Sequence, residues 1–372
     1  MPVKADKIYY LSDIFRPDFI PCLPFINFIR DITAFPLQYA CGLELNDDFI
    51  KTDGELKSAN GFDAAEFFRC CGIKISKFAR FGHKPGMDEW AALFAADPSE
   101  EVLNYLAQYL RDCRLVIGYE TPPVLLKSFN LLKIKYIDLR ISSIKFFNDL
   151  IIGVKTNCPE IFRRILPYKL PEEAIYYKAA QMKARSNIQG RCGFSSEDFA
   201  LICGQNKGDS SLIFEGRNFS IKDFAAEIKA IASRHKAVYY KRHPSAPADE
   251  NEFFEKAGVK ILPDNLNMYD LLANPRLQKL YAVSSGTLQK AKYFYKEAEY
   301  FKSSIYDYID DEQNICFCER YLNIFQHVMR PYFWASILNC GCENLMTPQA
   351  YDEINYENNL RRMLNLYWSY PV

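Results

Sequence analysis

A surplus of charge of either sign is what this sequence most plainly lacks. Lys+Arg and Asp+Glu each number 46 in 372 residues, so the formal net charge is zero. Without a broad cationic field the chain is not a general nucleic-acid binder, and local clusters must carry any recognition of phosphate. Histidine is scarce, at four residues: His83, His235, His243 and His327. No charge-free apolar run is long enough to cross a bilayer. The residues after Met1, Pro-Val-Lys-Ala-Asp-Lys, lack the apolar core of a signal peptide, so the expected location is cytoplasmic. Cysteine is not scarce: twelve residues without a secretory segment read as reduced thiols rather than a disulfide framework. Cys316/Cys318 and Cys340/Cys342 have one residue between each pair, against the two to four usual for zinc, so buried thiols are expected there and no metal. The acidic pairs Asp47-Asp48 and Asp310-Asp311 read as solvated loops.

Apolar surface is plentiful. Hydrophobic residues make up 49% of the chain and aromatics 15%, and the length exceeds what one core ordinarily absorbs, so two domains are expected. In the first half, residues 8–40 are broken by four prolines and read as short strands and loops. Residues 62–81 and 88–96 have helical spacing, as do 146–154. Asp97-Pro98-Ser99-Glu100-Glu101 is a helix start with acids in its first turn. Leu115-Val116-Ile117-Gly118-Tyr119-Glu120-Thr121-Pro122-Pro123 is a strand with Glu120 at its end. Lys135-Tyr136-Ile137-Asp138-Leu139-Arg140-Ile141 is an alternating strand with Asp138 and Arg140 on one face. A lysine- and tyrosine-rich helix over 166–184 leads to a polar stretch, 186–193, where the domain boundary is placed.

The second half is regular. Strands at 199–203, 237–240, 259–262 and 280–283 alternate with helices at 221–233, 249–257, 267–273 and a long one from Leu288. That alternation implies right-handed crossovers and a parallel sheet. Three turns then fall at strand carboxyl ends, the edge where open α/β sheets bind ligands. They are Gly204-Gln205-Asn206-Lys207-Gly208-Asp209-Ser210-Ser211, then Lys241-Arg242-His243-Pro244, then Ser284-Ser285-Gly286-Thr287. Pro244 cannot donate to a ladder and stops its strand. The serine turn offers hydroxyls and unpaired amides at a helix start, which suit a phosphate. Lys241, Arg242 and His243 can offset its charge, and Asp209 can point into the space between. Three such turns on one edge favour a nucleotide or nucleotide-sugar site. Residues 315–338 and 354–368 read as aromatic-rich helices that pack back over the first domain, in preference to adhering to a membrane surface.

With these residues assembled, the chain resembles bacterial transferases that use CMP-activated acidic sugars. Within that group it is similar to the retaining β-Kdo transferases of O-antigen and capsule assembly, Kdo being 3-deoxy-manno-octulosonic acid. The resemblance rests on Gly118–Pro123, Tyr136–Ile141, Gly204-Gln205 with Asp209-Ser210-Ser211, His243-Pro244 and the 284–287 turn, spanning roughly residues 115 to 300. His-Pro and Ser-Ser are shared with sialyl- and polysialyltransferases. The family implies two Rossmann-like domains facing a cleft (GT-B): 1–190 on the acceptor side, 191–310 binding the CMP-sugar, and 311–372 as helices returning to the first domain. It implies that Gly204, Gln205, Pro244, His243 and Ser284, Ser285, Gly286, Thr287 surround the CMP. Asp209 would be the nucleophile, Glu120 or Asp138 would be the acid/base or orient the acceptor, His243 would join these catalytic residues as well as hold the CMP, and Lys207, Lys241 and Arg242 would face the sugar carboxylate. No cofactor beyond the donor is implied, and the acceptor would be a glycan or lipid-linked glycan, with peripheral membrane contact or a larger polysaccharide-assembly protein as further partners. Where relatives carry a second His-Pro, this chain has Ser142-Ser143, which leaves the acceptor side open. An inverting CMP-sialic-acid enzyme, and a non-catalytic glycan-binding or assembly protein, remain alternatives.

Overall fold

The computed structural model describes residues 7–13, 15–16, 29–31, 33, 44–46, 63–74, 86–191, 193, 195–244, 246, 250–303, 319–325 and 327–338. In chain order the first strands are β1 (Lys7–Ser12), β2 (Glu44–Asn46), β3 (Cys113–Tyr119), β4 (Lys135–Ile141), β5 (Ile151–Thr156) and β6 (Phe199–Cys203). They are followed by β7 (Ile213–Phe214), β8 (Arg217–Asn218), β9 (Val238–Lys241), β10 (Lys260–Ile261), β11 (Leu277–Ala282), β12 (Glu297–Tyr300) and β13 (Leu322–Phe325). Two sheets carry the fold, ordered β13-β5-β4-β3-β1-β2 and β10-β9-β6-β11-β12, with β7-β8 a separate hairpin.

Every pairing in the second sheet is parallel. Both faces are therefore covered by crossovers, and its strands are apolar on both sides. Ala200 and Ile202 pack with Phe224, Ile228 and Phe254 on one face. Phe199, Leu201 and Cys203 pack on the other with Leu272, Leu288 and Phe294. The first sheet is parallel from β2 through β4 and turns antiparallel at β5 and β13. Along β1, Ile8 and Tyr10 enter the core beneath Phe333 and Trp334. Tyr9 and Leu11 enter the opposite core with Phe67, Trp90 and Leu106, as the two-residue period of a strand requires.

Several local expectations are corrected. Residues 146–154 are not a helix: the chain stays irregular to Leu150 and then forms β5. Phe146, Phe147, Leu150, Ile151 and Val154 have helical spacing, but β5 is an inner strand whose second neighbour, β13, pairs Leu322 with Val154 from far along the sequence. β13 likewise replaces the first part of the helix expected over 315–338; only Pro331–Leu338 is helical in the described part of that stretch after it. The long helix expected from Leu288 is short, Gly286–Ala291, because Tyr295 takes a left-handed conformation (φ 58°) and the chain enters β12. Of 62–81, Ala64–Cys70 is helical and 75–81 lie outside the described residues. Also outside are both Cys-x-Cys pairs, Asp47-Asp48, Asp310-Asp311 and the 354–368 helix. Met87–Ala95 and Glu100–Tyr109 form as expected, the latter capped by Ser99 Oγ accepting from Val102 N at 3.2 Å.

The last described segment returns to the first sheet. β13 joins its edge, and Phe333, Trp334 and Ile337 are fully buried there, so the two aromatics are core rather than a membrane-facing surface. Among the described residues no helix is long and apolar enough to cross a membrane. Helix Glu172–Ile188 places Ile175 and Ala179 in the core of the second sheet, together with Ile144, Phe146 and Phe147 from the loop before β5. Phe146 stacks edge-on against Tyr269 and Phe294, at 5.7 and 5.6 Å between ring centroids. The halves are thus joined by an apolar seam.

Candidate active site

The three turns of the second sheet follow neighbouring strands: β9, β6 and β11 lie side by side and end at Lys241, Cys203 and Ala282. Gly204 N donates to Lys241 O at 2.9 Å, which ties the first turn to the second. Gly204 is close-packed as well as flexible. A β-carbon there would sit 2.5 Å from the Tyr240 hydroxyl and 3.0 Å from His243 N, so only glycine lets the two turns approach this closely. Gln205 ties the first turn to the third: its Nε2 reaches Ser211 Oγ (3.0 Å) and Ser284 Oγ (3.2 Å), and its Oε1 accepts from Ser284 N (2.9 Å). Ser284 Oγ in turn donates to Ser211 O. Gln205 and Ser284 are therefore a stitch within the protein. Ser285 Oγ accepts from Thr287 N at 3.2 Å and opens the short helix. That helix is too brief for a large axial dipole, so what the turn offers an anion is its local N–H groups and hydroxyls.

Asp209, partly exposed, caps a 3-10 turn through Oδ1, which accepts from Ser211 N at 2.9 Å. This fixes the carboxylate in orientation and leaves Oδ2 for other chemistry. His243 lies within its electrostatic reach. Burial holds the His243 pKa below its ordinary value and Asp209 pulls it back up, while Lys145, Lys241 and Lys290 press it down. Pro244 is exposed, and the turn is closed by Ala246 N donating to His243 O at 3.0 Å. Lys241 and Arg242 are committed elsewhere: Lys241 Nζ donates to Asp264 O (2.9 Å), and the Arg242 guanidinium forks onto the Asp264 carboxylate and also bonds Ala246 O. They frame the turn and do not reach across it. Lys207 is exposed on the first turn.

The first domain meets this edge with its own strand ends. Glu120 follows β3 in a left-handed conformation (φ 49°), a strained backbone for a non-glycine residue and one common where a side chain must be aimed. Asp138 is fully buried one strand away. Its Oδ1 accepts from Thr121 N at 3.0 Å and its Oδ2 from the Tyr321 hydroxyl. Both oxygens are engaged, so Asp138 positions the 120–121 turn. Gly118 leaves room for it, since a β-carbon would run into Thr121 and lie 3.1 Å from Asp138 Oδ1.

Sequence reasoning missed the group beside Glu120. Arg16, four residues past β1, donates from Nη1 to Glu120 Oε2 at 3.0 Å. Its Nε (3.1 Å) and Nη2 (2.5 Å) reach Gly208 O in the opposite domain. Asp13 stands behind it, buried, with Oδ2 accepting from Trp90 Nε1 at 2.9 Å and Oδ1 without a partner among the described residues. Burial pushes the Asp13 pKa up to about 7, against the lowering effect of Arg16 and the Trp90 hydrogen bond. The available signal was position: Asp13 and Arg16 follow a parallel strand just as Glu120 does. The hairpin β7-β8 docks on helix Met87–Ala95, with Gly216 facing Ala92 and Ala95, and helps to hold the two edges together.

A narrow crevice of about 10 Å³, lined by residues including Cys203, Gln205, Lys207 and Val283, lies beneath the first turn. Two larger depressions, of about 400 and 410 Å³, lie at the opposite, amino-terminal ends of the two sheets. Neither contains any of the turn residues above.

No family model matches this chain, and no curated protein does. Solved structures similar to it include KpsC of Thermosulfurimonas dismutans, titled a β-Kdo 2,7 transferase, at 14% identity over 64% of this chain and 80% of that one, with a TM-score of 0.36. A second KpsC structure of that organism, a β-Kdo 2,4 transferase, has 16% identity over 61% and 80%, TM-score 0.35. The UDP-GlcNAc 2-epimerase of Methanocaldococcus jannaschii has 14% identity over 78% and 82%, TM-score 0.27. Likeness at these scores assigns no residue a role.

Proposed function

We propose that this chain is a glycosyltransferase that takes an acidic sugar from its CMP donor, Kdo foremost, and passes it with retention to a glycan acceptor of a bacterial surface polysaccharide. The observation that carries this reading is that Asp209 and His243 stand on adjoining turns of one parallel sheet, near enough for Asp209 to act on the imidazole, with Glu120 tied through Arg16 to Gly208 beside Asp209. The motif order of the sequence supports the donor class.

In this reading the 243–244 and 284–287 turns receive the CMP phosphate and ribose. The free oxygen of Asp209 attacks the anomeric carbon, the bond to the CMP oxygen breaks, and CMP leaves with the electron pair. An acceptor hydroxyl then attacks the same carbon. Its proton passes to Glu120, the bond to Asp209 breaks, and two inversions give net retention. Arg16 holds the Glu120 carboxylate in place as the base, while Asp138 holds the Thr121 turn on which Glu120 stands. In this reading cations and N–H groups meet the charge on the phosphate, and no metal is required.

The test is donor hydrolysis. Purified protein is incubated with CMP-Kdo and, separately, with CMP-sialic acid, and CMP release is followed alongside intact protein mass. Release from CMP-Kdo with a mass gain of one Kdo residue, lost in Asp209→Asn together with at least roughly a thousandfold in rate, is the expected result. Release from CMP-sialic acid without any adduct would replace retention by a single inverting displacement. Binding without turnover, unchanged in Asp209→Asn, would make the chain a glycan-binding or assembly protein.

A further inference from the structure

Lys290 is an anomaly that the proposed chemistry does not yet use. It lies in the helix Gly286–Ala291, and its side chain is turned inward, with the residue 7% exposed. Among the described residues no carboxylate pairs with it and no hydrogen bond is made by its ammonium, which sits over the Tyr269 ring at 5.3 Å from the centroid. The charge that most affects it is another cation, Lys145, and its other charged neighbour is the thiol of Cys203. Burial pushes that thiol up to about 12, so it stays protonated and supplies no counter-charge. A buried ammonium without an anion is costly unless something else delivers the anion.

Lys145 comes from the other half of the molecule, on the loop between β4 and β5, and it is exposed. That loop is fixed against the Lys290 helix by Ser143 Oγ donating to Gln289 Oε1 at 2.6 Å and by Phe146 packing on Tyr269 and Phe294. His243 feels both lysines, with Asp209 as the acid acting on it. Lys145 and Lys290, one from each half, thus both act on the imidazole that Asp209 also acts on. Of the cations first expected to face the sugar, Lys241 and Arg242 bond Asp264, and Lys207 is exposed on the first turn.

We infer that Lys290 and Lys145 form a second anion seat, separate from the phosphate turns, which takes the carboxylate of the transferred sugar and so selects an ulosonic-acid donor over a neutral one. This rests on the transferase reading above. The placement favours the sugar over the nucleotide because Lys145 belongs to the opposite domain, and only the group spanning the two edges can touch both. Burial, reinforced by Lys145, depresses the Lys290 pKa to about 7, so the side chain is ready to take up a proton as the carboxylate arrives.

The test compares the KM for CMP-Kdo with the inhibition constant of CMP in the full-length wild type, Lys290→Met and Lys145→Gln, each followed by CMP release. Lys145 is exposed, so its substitution leaves folding intact should Lys290→Met prove unstable. The expected result is a rise in KM of roughly tenfold or more in each variant, with the constant for CMP moving less than about threefold, since CMP carries the phosphate but no sugar carboxylate. Equal weakening of CMP and CMP-Kdo would put both lysines on the phosphate and overturn the seat. No change in either constant would make them structural and overturn it as well. A wild type that neither binds CMP nor releases it from either donor would instead overturn the transferase reading itself, so the two failures are told apart.

Discussion

Arg16 Nη1 lies 3.0 Å from Glu120 Oε2, and the same guanidinium bonds Gly208 O, one residue before Asp209, in the other domain. One side chain therefore sets the separation between the proposed base and the proposed nucleophile. Its fork is planar and always charged, a geometry that lysine cannot reproduce.

Glu120 sits at φ 49°, where a β-carbon is strained and glycine is not. Glu120→Gly relieves that strain but breaks the ion pair with Arg16, so stability is expected to stay within about 1 kcal/mol of the wild type, while transfer to acceptor falls roughly a hundredfold or more. The adduct on Asp209 should still form and accumulate, which intact-mass measurement would detect. A variant that transfers normally removes Glu120 from the reaction.

Asp138 accepts from Thr121 N and the Tyr321 hydroxyl while wholly buried. Asp138→Ala strands both donors and is expected to cost about 1–3 kcal/mol for each. Tyr321→Phe removes one bond only and should cost less. Thermal unfolding of the two variants, singly and combined, gives the coupling, and an additive double variant would contradict the shared hydrogen bond.

Gly204→Ala would drive a methyl group toward the Tyr240 hydroxyl and His243 N. Overpacking at this junction should cost about 1–3 kcal/mol. Adding Tyr240→Phe should recover only part, because His243 N remains in the way and Glu250 loses the hydroxyl that Tyr240 donates to it. Full recovery would mean that the turns need not approach so closely.

Asp13 links stability to pH. Its ordinary carboxylate pKa applies in the unfolded chain, whereas burial raises it to about 7 in the folded one, with Arg16, Glu120, Trp90 and the Phe15 backbone as its neighbours. Between roughly pH 4 and 7 the folded state holds a proton that the unfolded state has released, so stability falls as pH rises through that window. The loss is complete above pH 7 and amounts to at most about 4 kcal/mol. Asp13→Asn keeps an oxygen for the Trp90 N–H and should flatten the melting temperature between pH 4 and 8. An unchanged slope would refute the assignment.

Four strands of the parallel sheet in the second half were legible because each is a short apolar run closed by glycine, proline or paired hydroxyls; the edge strand β12, Glu-Ala-Glu-Tyr, carries no such signal and was read as helix. Those stops also placed Asp209, His243 and Ser284 on one edge. The first half was harder to read. Its spacing at 146–154 fits a helix, and only pairing with β4 and with distant β13 makes β5 a strand. Arg16 and Asp13 carried no motif, and Lys290 looked like an ordinary helix lysine.

The sequence by itself determined that the turns after Cys203, Lys241 and Val283 and the residue Glu120 lie at strand ends, since local turn chemistry and the apolar periods are properties of neighbouring residues. Which of those residues face ligand and which serve the protein was decided only in three dimensions. Lys241 and Arg242 are claimed by Asp264, Gln205 by Ser284, and Asp138 by Tyr321, whereas Lys290 is left with another lysine. Partnership of this kind joins residues many positions apart, and charge balance in a buried site belongs to the folded surroundings rather than to the chain.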